Sequence, residues 1–125
     1  MPKTKIIFFL DSDGTAPVLN WIDTIPARAQ EKIYVRIERL GELGYALQRP
    51  EAEYLDNDIY ELRVSLNHVQ YRLLYFFHDK KAILCSSLIK KGKKVPTNAI
   101  KEAARIKEIY KSNPILHTYK EDIEP

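Results

Sequence analysis

Residues 59–77 read Ile59-Tyr60-Glu61-Leu62-Arg63-Val64-Ser65-Leu66-Asn67-His68-Val69-Gln70-Tyr71-Arg72-Leu73-Leu74-Tyr75-Phe76-Phe77. Two strand-like runs flank an Asn-His turn. In the first, Tyr60, Leu62 and Val64 alternate with Glu61, Arg63 and Ser65, the period-2 pattern of a strand with one buried face. The second, about 69–77, is rich in Tyr, Leu and Phe. A third run, about 81–89, follows a turn at His78, Asp79 and Lys80. Connections this short imply antiparallel hairpins, hence a three-stranded meander. With a turn at 67–68, Arg63 falls opposite Arg72. Cross-strand partners point to the same side with Cβ atoms ~4.5–5.5 Å apart, and two like charges that close destabilise a sheet unless an anion lies between them. A positively charged concavity on the open sheet face is therefore expected. Lys90 or Lys91, at the end of the third strand, joins it according to register, and a slip of one residue would break the arrangement. The plainer alternative is structural: Arg63 and Arg72 pair with Glu61 or Glu53.

Working outward, residues 4–10 are β-branched and aromatic and read as a strand. Asp11 to Gly14 form a turn cluster, and Thr15 is placed to cap a short helix carrying Val18, Leu19, Trp21 and Ile22. A second helix is expected over about 26–43. Ala29, Ile33, Ile37 and Leu40 make its apolar face, and Arg28, Lys32, Arg36 and Arg39 flank that face. The basic stripe is interleaved with Glu31, Glu38 and Glu42, which suits a solvated surface; RNA contact through Lys32 and Arg36 is the other reading. Residues 45–58 read as an irregular connection. A last helix, about 97–111, has Thr97 or Asn98 as its cap and Ala99, Ala103, Ile106 and Tyr110 as its apolar positions. The order β-α-α-β-β-β-α predicts an α+β fold, in which a helical hairpin covers one face of a small antiparallel sheet. One domain is expected over 1–112, followed by a tail over 113–125.

The 125 residues suit a single domain, with 45% hydrophobic and 30% charged. No apolar run approaches the ~18 residues of a membrane helix, and the N-terminus leads into a strand instead of a signal peptide, so a cytoplasmic location is expected. One cysteine, Cys85, excludes an internal disulfide; it alternates within a strand and is expected to be buried and inert. His68, His78 and His117 lack ligand spacing, and no dense carboxylate cluster offers a magnesium site. Phosphate-binding loop, dinucleotide fingerprint and nucleophile elbow are all missing. Neither a metal nor a small-molecule cofactor is expected.

The net charge of +3 hides an asymmetry. Residues 60–120 carry thirteen Lys or Arg against four Asp or Glu, while residues 1–59 carry seven against ten. So concentrated a cationic field attracts a polyanion, and nucleic acid is the commonest. The bland reading is a solvated surface kept for solubility. Clustered Arg and Lys bind phosphate and stabilise charge that builds during phosphoryl transfer. In RNA the neighbouring 2′-OH is itself a nucleophile, so positioning, neutralisation and proton movement suffice.

The Tyr60-Glu61-Leu62-Arg63 strand, the Tyr71-Arg72-Leu73-Leu74-Tyr75 strand and the Leu88-Ile89-Lys90-Lys91-Gly92-Lys93-Lys94-Val95-Pro96 run before a basic helix resemble the RelE/ParE toxin superfamily, in its phage-derived, HigB-like branch. The resemblance covers roughly residues 4–111. It implies a type II toxin that cleaves mRNA on the ribosome by 2′-OH attack and is neutralised by a helix-turn-helix antitoxin of the HigA-like kind. It implies phosphate binding by Arg63 and Arg72, with Lys90 or Lys91 completing the charge and Lys93 and Lys94 holding the flanking backbone. Glu61 stands where RelE has a basic residue, and no tyrosine follows the last strand over 95–98. Tyr110, His117 or Tyr119 would then have to substitute, or the activity uses another general acid. Two other readings stay open: a ParE-like inhibitor of DNA gyrase, and a phage accessory protein that only binds RNA or a partner.

Overall fold

The computed structural model describes residues 3–120. Its elements in chain order are β1 (Lys5–Phe8), α1 (Pro17–Ile22), α2 (Ala27–Leu43), a 3-10 turn (Gly44–Ala46), β2 (Ala52–Asp56), β3 (Ile59–Leu66), β4 (Val69–His78), β5 (Lys81–Lys90) and α3 (Thr97–Ser112). The five strands form one sheet in the order β1-β5-β4-β3-β2. Each consecutive pair from β2 to β5 is antiparallel, whereas β1 runs parallel to β5. The fold is mixed α+β, as its residue pattern indicates, but the sheet is neither purely antiparallel nor four-stranded.

Three two-residue turns fix the registers. Asn57-Asp58, Asn67-His68 and Asp79-Lys80 all have positive φ at both positions, the requirement of a type I′ hairpin. Asn and Asp tolerate that left-handed geometry because their short polar side chains bond locally. The first of these turns pairs β2 with β3, in the stretch expected to be irregular.

The sheet is covered on both sides. Leu62, Val64, Leu73, Tyr75 and Leu84 pack against Val18 and Ile22 of α1 and Ala29, Ile33, Ile37 and Leu40 of α2. Ile59, Leu74, Phe76 and Ile83 pack against Ala103, Ile106 and Tyr110 of α3. Each fully buried side chain of this size contributes roughly 1.5–3 kcal/mol. Truncating a central one, such as Leu73→Ala, would cost about 2–5 kcal/mol. The open sheet face expected from the sequence is thus closed along part of its length by α3.

α2 ends at Gly44, whose φ of 53° and close approach to Thr4 leave no room for a Cβ. The expected side-chain caps are replaced by other arrangements. Thr15 Oγ1 donates to Asp13 instead of capping α1, and α3 follows directly on Pro96 without a capping side chain.

The segment 113–119 returns to β1 with His117 buried, while Ile115 and Leu116 stay exposed. Thr118 bridges Phe9, and the Leu10 and Tyr119 amides donate to the carbonyls of His117 and Phe8 at 2.9 Å. Residues 121–125, the acidic end of the expected tail, lie outside the described residues. Among the described residues, no helix is long and apolar enough to cross a membrane.

Candidate functional site

The sheet face under α3 changes character along its strands. Near the Asn57-Asp58 turn it is apolar. Toward the Asn67-His68 turn the same columns carry Glu61, Arg63 and Ser65 on β3, and Gln70 and Arg72 on β4. Arg63 pairs with Arg72, as the turn position predicts. A bulge on β5 decides which lysine joins them. Tyr75 pairs with Leu84 but Leu74 pairs with Ser86, so Cys85 is the extra residue. A bulge re-aims everything beyond it. Here it sets Lys90 opposite Gln70, on the arginine face, while Lys91 lies past the strand end and is exposed.

The two guanidinium groups are held apart by the protein's own carboxylate. Arg63 Nε donates to Glu61 Oε2 at 3.0 Å, and Arg72 Nε lies 3.0 Å from Glu61 Oε1. Glu61 is 2% exposed and Arg72 4%. The second contact is a buried ion pair, and neither of its atoms has another partner among the described residues. Arg72 also donates to the Tyr71 carbonyl at 3.0 Å and to Gln70 Oε1 at 3.4 Å. Burial pulls its pKa below the ordinary guanidinium value, while the Glu61 charge opposes that shift. Arg63 keeps 28% of its side chain exposed and pairs with Glu53 as well. Glu53 also meets Arg49, whose hydrogen bond holds the Glu53 carboxyl below the usual range, against the opposing pull of partial burial.

Two clefts meet at Arg63. One, of about 430 Å³, is lined by Arg49, Glu53, Arg63, Lys90, Lys93 and Lys94 among others. Lys90 Nζ donates to the Lys93 carbonyl at 3.2 Å, which folds the lysine turn over the cleft. The other, of about 330 Å³, contains Lys32, Arg36, Arg63 and Arg72, and no carboxylate lines it. It wraps the free half of β3. β2 pairs only with residues 59–62, so residues 63–66 form an edge whose carbonyls need partners. α2 supplies them: Arg36 donates to the Arg63 carbonyl at 2.6 Å and Lys32 to the Ser65 carbonyl at 2.7 Å. The basic stripe of α2 is therefore not simply solvated. One part caps the sheet edge, and Arg39 makes a two-pronged contact with Glu51 at 2.8 and 3.0 Å.

The structure brings together Lys32, Arg36, Arg63, Arg72, Lys90, Lys93 and Lys94. It keeps the three candidate acid–base groups elsewhere: Tyr119 lies beside β1, its amide on the Phe8 carbonyl, and lines neither cleft. Tyr110 is 1% exposed in the core under α3, edge-on to Phe76 at 5.7 Å, because it lies on the apolar stripe of its helix. His117 is 3% exposed beside β1, at the opposite edge of the sheet from β2. It is stacked on Phe9 at 5.3 Å, with Nδ1 2.7 Å from the Leu10 carbonyl. Neither reaches the clefts. The sequence pattern does not single out Arg49 and Gln70, which the structure adds to the clefts. Arg49 falls in the stretch expected to be an irregular connection, and its signal is the Asn57-Asp58 turn, which makes the residues before it a strand. Among the described residues no three His, Cys, Asp or Glu side chains are grouped to hold a metal ion.

The family model for phage-derived Gp49-like proteins (DUF891) matches residues 20–108. The chain belongs to the Gp49-like family. This is a RelE/toxin-like family. The Gp49-like match spans all of α2 and β2 to β5 and most of α3, so it contains every residue that lines the two clefts. Comparison with curated proteins found no match.

Proposed function

We propose that this chain is the toxin of a type II toxin–antitoxin pair, an mRNA endoribonuclease of the HigB-like kind that acts on ribosome-bound message. One observation carries the reading. Eight Lys and Arg side chains, against two carboxylates, line two clefts that meet at a single arginine. Membership of a RelE/toxin-like family supports it.

The chemistry asked of such a site is modest. The substrate's 2′-oxygen attacks the adjacent phosphorus and gives up its proton to solvent water. The bond to the 5′-oxygen breaks, and that oxygen takes up a proton. The products are a cyclic phosphate and a 5′-OH. The protein supplies charge where the phosphoryl oxygens become more negative. Arg63 and Lys90 are placed to hold those oxygens, and Lys93 and Lys94 the neighbouring phosphates. Lys90 would be the proton donor to the leaving oxygen. Arg72 is nearly closed off, so its role is positioning: through Glu61 it fixes the plane of the Arg63 guanidinium. An arriving phosphate competes with Glu61 and Glu53 for Arg63.

Expression of the chain alone, and of Lys93→Ala with Lys94→Ala, tests this. Growth arrest with cut messages, relieved by co-expression of a helix-turn-helix partner, is the expected outcome. Growth without arrest and with intact messages would overturn it. One observation favours a second reading. Glu61 partly neutralises both arginines, and neither Tyr110 nor His117 reaches them, which suits a ParE-like toxin that binds DNA gyrase without cutting RNA. DNA damage with intact messages would select that reading.

A further inference from the structure

The clefts do not end at Arg49. Tyr54 follows Glu53 on β2, and adjacent strand residues face opposite sides, so Tyr54 carries the surface around the edge strand. It lines the first cleft and also a third hollow of about 430 Å³, with Arg49, Tyr45 and Tyr60. Tyr45 and Tyr60 in turn border a fourth hollow of about 180 Å³, which holds Lys107 and Lys111. The hollows thus run in series, from the cationic end at Arg63 to an aromatic end beside β2.

The aromatic end is built as a platform. Tyr45 is 66% exposed, yet one face of its ring lies on Phe77, with centroids 3.8 Å apart and planes 27° from parallel. Its other face is left to solvent. Tyr54 is 50% exposed and stands edge-on to Tyr60 at 5.1 Å. Tyr60 is stacked at 5.4 Å on Tyr75, which is fully buried, so the wall is anchored in the core. Two of the local acids are engaged, Glu53 with Arg49 and Arg63 and Asp58 with Lys107 at 3.3 Å, while the exposed Asp56 accepts from the Asn57 amide at 2.9 Å. What remains is a pair of exposed aromatic rings between the Arg63 cleft and Lys111.

We propose that Tyr45 and Tyr54 are a base-stacking subsite for single-stranded RNA whose backbone runs from the Arg63 cleft past Arg49. This rests on the RNA reading above and specifies its substrate: bases must be unpaired to reach the rings, since a duplex keeps them in its interior. Stacking on a tyrosine face tolerates any base, because each presents a π surface. A folded protein partner would also use exposed tyrosines, but it would leave the continuity with the lysine cleft without a purpose.

The test uses the purified chain and a short single-stranded RNA, made cleavage-resistant by 2′-O-methylation and carrying 2-aminopurine. Affinity is read by anisotropy and stacking by quenching of the 2-aminopurine. Tyr45→Ala and Tyr54→Ala should each weaken binding by at least about fivefold and reduce the quenching, with the salt dependence unchanged. Tyr45→Leu, which keeps an apolar contact on Phe77, should lose the quenching as well, and Tyr54→Phe should retain it. Lys93→Ala with Lys94→Ala should flatten the salt dependence yet keep full quenching at saturation. If the tyrosine variants bind and quench like wild type, the subsite is refuted while the cleft stands, and the patch is left to a protein partner. If wild type binds no RNA, the RNA reading itself falls, and the subsite falls with it.

Discussion

Glu61→Gln removes one charge and almost no volume from the centre of the arginine network. The carboxylate is 3% exposed, with both arginine Nε atoms 3.0 Å away. Unit charges about 4 Å apart interact by ~4 kcal/mol at an effective dielectric of about 20. The carboxylate's own desolvation offsets much of that. The cost of leaving Arg72 buried without its partner is therefore about 3–5 kcal/mol, against a total stability of about 5–15 kcal/mol for a domain. The amide introduced by the substitution would still accept one hydrogen bond, which sets the expectation near the lower figure. Urea unfolding followed by Trp21, which sits edge-on to Tyr71 at 6.1 Å, reports the loss as a lower midpoint at unchanged slope. Glu61→Met combined with Arg72→Met should recover most of it, since both members of the buried pair are then gone. The same Glu61→Gln change frees the Arg63 guanidinium, so RNA affinity at low salt should rise as stability falls. Glu61→Gln unfolding within about 0.5 kcal/mol of wild type would refute the claim that this carboxylate holds the arginines apart.

Other outcomes follow from the same geometry. Glu51 and Glu53 both have carboxyls held below the ordinary 4.5, chiefly by hydrogen bonds from Arg39 and Arg49 respectively. The folded chain therefore binds those protons less readily than the unfolded chain. Their contribution is complete above about pH 4.5 and fades as pH drops through the lowered values, so the melting temperature should fall there, and less steeply in Glu51→Gln with Glu53→Gln. Burial pushes the Cys85 thiol up to about 12. Native protein should resist a thiol reagent at neutral pH and react fully once unfolded; prompt labelling of the native chain would contradict the buried bulge. Lys93 and Lys94 are exposed, so Lys93→Ala and Lys94→Ala should leave the melting temperature unchanged while each lowers the slope of log affinity against log salt by about 0.7 for single-stranded RNA.

Parts of this arrangement are legible in the chain. The Arg63–Arg72 register follows from a two-residue turn, which leaves the strands no freedom to slide. The α2 face of Ala29, Ile33, Ile37 and Leu40 is wholly buried, as its spacing requires. β2 is hidden because a five-residue strand interrupted by a bulge gives too little alternation to count. The choice of Lys90 over Lys91 depends on the extra residue at Cys85, which nothing local marks. The resting partner of the arginines is visible as Glu61, two positions from Arg63. Whether a carboxylate there pairs inward or faces solvent depends on α3 closing the neighbouring sheet, which is a tertiary fact. His117 shows the same limit: its burial comes from Phe9, at the far end of the chain.

The most direct measurement is cleavage of a defined message on purified ribosomes, with the cut sites mapped and the new ends characterised. Wild type should cut within the translated region and leave a 5′-OH opposite a cyclic or 3′ phosphate. A folded Lys90→Ala, Lys93→Ala, Lys94→Ala variant should cut far more slowly. Messages that stay intact with folded wild-type protein, or cuts made equally well by that variant, would contradict a role for this cleft in RNA cleavage.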